Sequence, residues 1–162
     1  MARSGKALDL SGRYELDRDK SESLYTHMSA MGCEEIAALA SEKLNLRVNV
    51  VMTDESVQFW QTSQLGTTYR KLVYGKETPE TGVALERRAL ARIVGNSLVI
   101  VTRWDRGVIT DRREMKPDAN VMINVLELSV QGHSKPIRTV RYFKRTGDPD
   151  PEVIKTKPGA SS

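Results

Sequence analysis

Lys20-Ser-Glu-Ser-Leu24-Tyr-Thr-His27-Met28-Ser-Ala-Met31-Gly32-Cys-Glu-Glu-Ile36-Ala-Ala-Leu39-Ala40-Ser-Glu-Lys-Leu44 is the one stretch of the chain with helical spacing. Leu24, Met28 and Met31 fall at i, i+4 and i+7, and beyond Gly32 the set Ile36, Leu39, Ala40 and Leu44 repeats the pattern. A glycine between two short helical patterns is a natural stop, because it takes the left-handed conformation that ends a helix without a Cβ clash. Asp19, with Glu22 three residues on, has the spacing of a capping arrangement at the start. The spacing predicts a short helix, a turn and a second short helix over about residues 20–44.

Outside this stretch the periodicity is that of short strands, over residues 12–16, 46–52, 56–62, 67–74, 84–93, 97–103, 108–115, 121–130 and 137–145. Turn-forming residues separate them, among them Gly75-Lys76, Gly95-Asn96, Arg106-Gly107 and Gln131-Gly132. Nine or ten strands in up-and-down order predict a closed antiparallel barrel. The alternation within the strands is unusual, because neither face is cleanly apolar. Val57, Phe59 and Gln61 share one face, with Gln58, Trp60 and Thr62 on the other. In the last strand Ile137, Thr139, Arg141 and Phe143 oppose Arg138, Val140, Tyr142 and Lys144. Polar groups on both faces fit a hydrated internal cavity, and they fit equally an ordinary barrel core with poor alternation.

The 162 residues suffice for one domain, and 39% hydrophobic with 28% charged residues describe a folded chain. No apolar run approaches the roughly 18 residues that a spanning helix needs. The first residues show no apolar signal stretch, Cys33 is the single cysteine, and no Asn-x-Ser/Thr sequon occurs, so the expected compartment is the cytosol. Net charge is +4, from 25 basic and 21 acidic residues, which permits an anionic partner without demanding one. Pro149, Pro151 and Pro158 among Gly, Asp and Ser predict a disordered tail over residues 146–162. The expected folded unit is residues 8–145, after a flexible N-terminus over residues 1–7.

Four segments in register resemble the intracellular lipid-binding proteins, the fatty-acid-binding and retinoid-binding family of the calycins. Leu10-Ser-Gly12-Arg-Tyr14-Glu-Leu16 is similar to that family's opening Phe-x-Gly-x-Trp-x-Leu, with Tyr14 in the tryptophan's place. Ser21 to Gly32 matches without a gap the family's Ser-Glu-Asn-Phe-Asp-Glu-Tyr-Met-Lys-Ala-Leu-Gly, the first lid helix. Gly95 to Asp105 is similar to Gly-x-x-Leu-Val-x-x-Gln-Lys-Trp-Asp, and the last strand ends in the expected basic and aromatic residues. The resemblance implies a ten-stranded β-clam, closed at one end and capped by a helix-turn-helix at the other, that holds a hydrophobic anion, most often a fatty acid. It also implies a monomer that touches membranes briefly.

In that family two interior arginines and a tyrosine commonly hold the ligand carboxylate. The matching positions are Arg113, nine residues after Trp104, and Arg141 of Arg141-Tyr142-Phe143. Phe143 stands where the hydroxyl is expected, and Tyr142 cannot replace it, because adjacent strand residues point to opposite faces. Leu65 takes the portal position that is commonly phenylalanine, and His27 takes a lid tyrosine's. Leu24, Met28 and Trp60 complete the expected ligand-binding set. Asp111 lies two residues before Arg113 on the same strand face, so it either neutralises Arg113 internally or leaves both arginines to the ligand.

Two other function classes compete with a carrier. Arg87-Arg88, Arg112-Arg113 and the basic stretch 138–145 suggest an interaction module for RNA or protein, although the dispersed aromatics offer few stacking platforms, so no nucleic acid is expected. An enzyme acting on a bound lipid or chromophore finds no Walker, Gly-x-Gly-x-x-Gly, His-Glu-x-x-His or Gly-x-Ser-x-Gly sequence to support it. His27 and His133 stand apart from other ligating residues, so neither a metal nor a cofactor is expected. Cys33 reads as a small buried residue.

Overall fold

The computed structural model describes residues 7–80 and 86–156. The strand expected to begin at residue 84 therefore has its first two residues outside the described residues, as do most of the N-terminus and residues 157–162 of the tail. In chain order the elements are β1 (Gly12–Leu16), α1 (Tyr25–Ala30), α2 (Glu35–Ser41), β2 (Arg47–Met52), β3 (Ser56–Ser63), β4 (Gly66–Val73) and β5 (Thr78–Glu80). There follow β6 (Arg87–Val94), β7 (Ser97–Trp104), β8 (Gly107–Lys116), β9 (Val121–Val130), β10 (Ile137–Gly147) and α3 (Pro151–Ile154).

All ten strands form one antiparallel sheet in the order β4-β3-β2-β1-β10-β9-β8-β7-β6-β5, so the last strand returns to pair with the first. The sheet curls into a nearly closed barrel. Its seam lies between β4 and the β5/β6 edge. There Gly75 N donates to Ala91 O at 3.0 Å, and Arg70 Nη2 reaches Glu80 Oε1 at 2.8 Å.

The helix pair forms where its spacing predicts, but the apolar set does not mark the buried face: Ile36, Leu39 and Ala40 are exposed while α2 buries Ala38 and Ser41, and α1 buries His27. Gly32 ends the first helix at φ +87, a left-handed conformation that a Cβ would strain. Asp19 and Glu22 do not cap α1, which starts only at Tyr25, where Ser23 Oγ accepts from Tyr25 N at 3.0 Å. Glu22 is used elsewhere: its backbone N donates to Val140 O, and its Oε1 accepts from Val140 N at 2.7 Å. A partner distant in sequence won over the local one. Asp17 N and Ser21 Oγ bond to Tyr142 O, and Tyr142 N donates back to Ser21 Oγ. The segment leading into the lid is thus clasped to β10 on both sides of residue 141. Cys33, expected to be buried, is exposed at the turn between the helices.

The inward residues of alternate strand positions make the core, among them Tyr14, Val48, Val50, Phe59, Leu72, Leu98, Ile100, Met122 and Phe143. Tyr14 is fully buried, and its hydroxyl donates to Leu10 O at 2.8 Å. Burial pushes its phenol pKa up to about 12.

Residues 146–156 are not the structureless tail that their composition suggests. β10 runs on to Gly147, and Asp150 then caps α3 by accepting from Glu152 N at 3.0 Å. Pro151, the residue that argued against a helix, occupies the first turn, where its missing N–H has no partner to lose. Asp150 N donates to Asn49 Oδ1 at 2.8 Å, and Trp60 Nε1 donates to Thr156 O. This segment lies along the outside of the β2/β3 wall.

Candidate ligand-binding site under the helical lid

Strand pairing sets the site. Arg113 on β8 is opposite Asn124 on β9, which is opposite Arg141 on β10, so the three share the inner face in a row. Asp111 on β8 faces inward one step along. Arg113 grips it with both ends of its fork, Nε to Oδ1 and Nη2 to Oδ2, each 3.1 Å. Asn124 Nδ2 adds a bond to Oδ1 at 2.6 Å. Burial alone would push the Asp111 carboxyl up. The charge and hydrogen bonds of Arg113, the charge of Arg70 and the Asn124 amide together hold it below its ordinary value. The face of the Arg113 guanidinium lies 4.5 Å from the Phe59 ring centre across the barrel. Of the two arrangements open at the sequence level, internal neutralisation of Arg113 is the one present.

Arg141 is different. It is 7% exposed, its Nε has no hydrogen-bond partner, and among the described residues no carboxylate lies within ion-pair distance. Its guanidinium sits 5.6 Å from the ring centre of Phe143, which is buried two residues on along the same face. Burial, and then repulsion from Arg113, push its pKa down to about 10, which leaves it charged at neutral pH. Arg141 lines a cavity of about 460 Å³ that opens between the clasp and the lid, with Leu16, Arg18, Leu24, Ser41 and Glu42 around it.

His27 is the buried residue of α1, 5% exposed, and its Nδ1 has no partner. Burial pushes its pKa down, with Asp111 opposing and Arg141 reinforcing, so the imidazole is neutral at pH 7. Leu24 and Met28 are half-buried on the same lid. Leu65 sits 81% exposed in the β3–β4 turn. That turn is tied to the end of the lid, where Gln64 Nε2 donates to Lys43 O at 3.0 Å and Asn45 N donates to Gln64 Oε1 at 2.8 Å.

Trp60 does not join the site. It occupies the outer face of β3, opposite Asn49, and is buried against the C-terminal segment with Tyr69 5.0 Å away. Phe59, its neighbour, faces inward. Sequence reasoning missed Arg70, which pairs with Phe59 in register and therefore points inward, held by Glu80. The signal was available in strand parity. Four inward guanidinium groups, of Arg70, Arg87, Arg113 and Arg141, face two carboxylates, of Asp111 and Glu80. Arg70 and Arg113 are paired, Arg87 lies over the Trp104 ring, and Arg141 is the unpaired one that lines the cavity under the lid. The other arginine-rich strands divide between faces, and on the outside Arg88 meets Glu77 at 3.6 Å and Arg112 meets Glu114 at 3.8 Å. Among the described residues no group of His, Cys, Asp and Glu could hold a metal ion.

No protein-family model and no curated protein matches the chain by sequence. Solved structures do match by shape. A chain titled REP1-NXSQ fatty acid transporter has a TM-score of 0.73 at 20% identity, over 85% of this chain and 96% of its own. Fatty-acid-binding protein 1 of Echinococcus granulosus has a TM-score of 0.73 at 14% identity, over 85% and 98%. A fatty-acid-binding protein from the brain of Drosophila melanogaster has a TM-score of 0.68 at 22% identity, over 84% and 99%. The chain has the fold of the intracellular lipid-binding proteins. The ten-stranded barrel with its short helical cap is the architecture that the sequence resemblance implies. At these identities the likeness is one of fold, and the charge arrangement inside is this chain's own. No helix among the described residues is long and apolar enough to cross a membrane.

Proposed function

We propose that this protein binds one hydrophobic monoanion without covalent chemistry, a long-chain fatty acid, and carries it as a monomer through the cytosol. The observation that carries this reading is Arg141, a charged guanidinium that is buried, unpaired and open to a cavity. A buried charge without a partner is strongly destabilising, and a ligand carboxylate supplies the missing counter-charge through charge-assisted hydrogen bonds. Arg141, the unpaired guanidinium that lines the cavity, matches one carboxylate.

The hydrocarbon chain supplies most of the affinity. About 14 methylenes leaving water at ~0.8 kcal/mol each give a gross ~11 kcal/mol, of which ordering and association take a large part. Leu16 and Leu24 are the apolar side chains that line the cavity, and the core of Phe59, Leu98, Ile100 and Met122 lies deeper in the barrel. Entry and exit require the lid to move, with Leu24, Met28 and Leu65 at its edge, and exchange with membranes proceeds by brief contact.

The test is native mass spectrometry of freshly purified protein, followed by extraction and identification of what is released. A stoichiometric copurified fatty acid, or saturable uptake of added hexadecanoate that tolerates high salt, supports the carrier. An empty protein that refuses hexadecanoate and binds RNA in a salt-sensitive way overturns it.

A further inference from the structure

Two buried polar atoms without partners belong to different elements at the mouth of the barrel, Nε of Arg141 on the β10 wall and Nδ1 of His27 on lid helix α1. The chain that leads into α1 is fixed to β10 by the bonds of Asp17, Ser21 and Glu22 to Val140 and Tyr142, the two neighbours of Arg141. His27 follows five residues after Glu22 and turns inward, where it lies in the fields of Arg141 and Asp111. A guanidinium can neutralise one carboxylate while using only part of that anion's acceptor capacity, since a carboxylate has two oxygens with about four lone-pair sites. The buried, unpartnered imidazole of His27, within the field of Arg141, is a fitting second donor.

We propose that the ligand carboxylate bridges Arg141 and His27, one oxygen on each, so that the head group itself fastens the lid to the wall. This rests on the carrier reading above and deepens it, by assigning His27 as the residue that selects a carboxylate over an ester or an alcohol. An ester keeps the chain but has no charge to satisfy Arg141, and an alcohol offers a single oxygen to two donors. Leu24 lines the same cavity and Met28 lies on the same short helix, so fastening His27 also sets the apolar rim in place. Bound acid therefore closes the lid, whereas bound ester does not.

The charged groups that act on His27 are Asp111 on β8 and Arg141 on β10, while the buried positions of α2, Ala38 and Ser41, do not ionise. In the empty protein burial and Arg141 keep the imidazole neutral, against the pull of Asp111. An added carboxylate at hydrogen-bond distance favours the charged imidazole, so binding of acid raises the His27 pKa.

The experiment measures wild type, His27→Gln and His27→Phe against hexadecanoate, methyl hexadecanoate and hexadecanol, with the imidazole titration followed by NMR. Loss of one charge-assisted bond weakens hexadecanoate binding by about 10-fold in His27→Phe, with ester and alcohol little changed, and the amide donor of His27→Gln restores part of the loss. In wild type hexadecanoate raises the His27 pKa and the ester does not. Equal loss for acid and ester, or a His27 titration indifferent to hexadecanoate, overturns the bridge and leaves the carrier intact. A wild-type protein that binds no hexadecanoate overturns the carrier reading itself. The titration in wild type decides the matter if either variant fails to fold.

Discussion

Replacing Asp111 by Asn leaves Arg113 buried beside Arg141 with no anion. Asp111 and Arg113 have side chains only 11% and 12% exposed, and two 3.1 Å bonds join them, so solvent screens the pair little. Removing one partner of a buried ion pair costs about 3–5 kcal/mol, which for a chain of this size lowers Tm by roughly 6–20 °C. The sign of the pH dependence follows from the pKa direction. The folded pKa of Asp111 lies below its ordinary 3.8, so the pair's contribution is fully present above that value and is lost as pH falls through the lower folded value. Asp111→Asn has nothing to protonate there, and its stability curve converges on that of wild type toward acid. The freed Arg113 also gives a ligand carboxylate a second guanidinium, so the variant binds hexadecanoate more tightly and regains Tm with it. Thermal unfolding followed by circular dichroism between pH 7 and pH 3 is the assay. A variant within 2 °C of wild type at pH 7, or a gap that persists unchanged in acid, refutes the reasoning. Replacing both partners together, Asp111→Leu with Arg113→Met, recovers most of the loss, because no buried charge is then left alone.

Two further outcomes test the scaffold. A chain ended after Gly147 uncovers Trp60, costs about 1.5–3 kcal/mol of burial and shifts tryptophan emission to the red in a Trp104→Phe background. Its hexadecanoate affinity stays within twofold of the full chain's, because Trp60 is on the outer face; a large loss would return Trp60 to the ligand. Tyr14→Phe leaves Leu10 O without its buried donor and lowers stability by about 1–3 kcal/mol in urea unfolding. In wild type the Tyr14 phenol titrates at about 12, and an ordinary value near 10 would contradict its burial.

Most of the site was legible because strand alternation is a strict rule. Parity puts Asp111, Arg113, Arg141 and Phe143 on one side of the sheet, and the structure keeps them there. The same rule separates Trp60 from Phe59, yet Trp60 was expected at the ligand. An aromatic residue on a mixed face gives no sign of which side is covered, and its cover arrives from Thr156, far along the chain. The tail was misread for a related reason. Prolines argue against regular structure in general, but Asp150-Pro151 is also a helix start, and only docking on Asn49 selects that option. Asp19 and Glu22 had the spacing of a local cap. Glu22 found the backbone of Val140 instead, a contact that no window of adjacent residues contains. The free charge of Arg141 was one of two arrangements left open by the sequence, and which holds depends on Asp111 taking Arg113 in the folded barrel.

The central claim is that Arg141 waits for a carboxylate. Its most direct test is the affinity of wild type and Arg141→Ala for hexadecanoate and for its methyl ester, measured side by side. Loss of the charge-assisted pair weakens the acid by about 10- to 100-fold and the ester by less than about threefold. Equal weakening of both, or an acid affinity that ignores the substitution, contradicts the account.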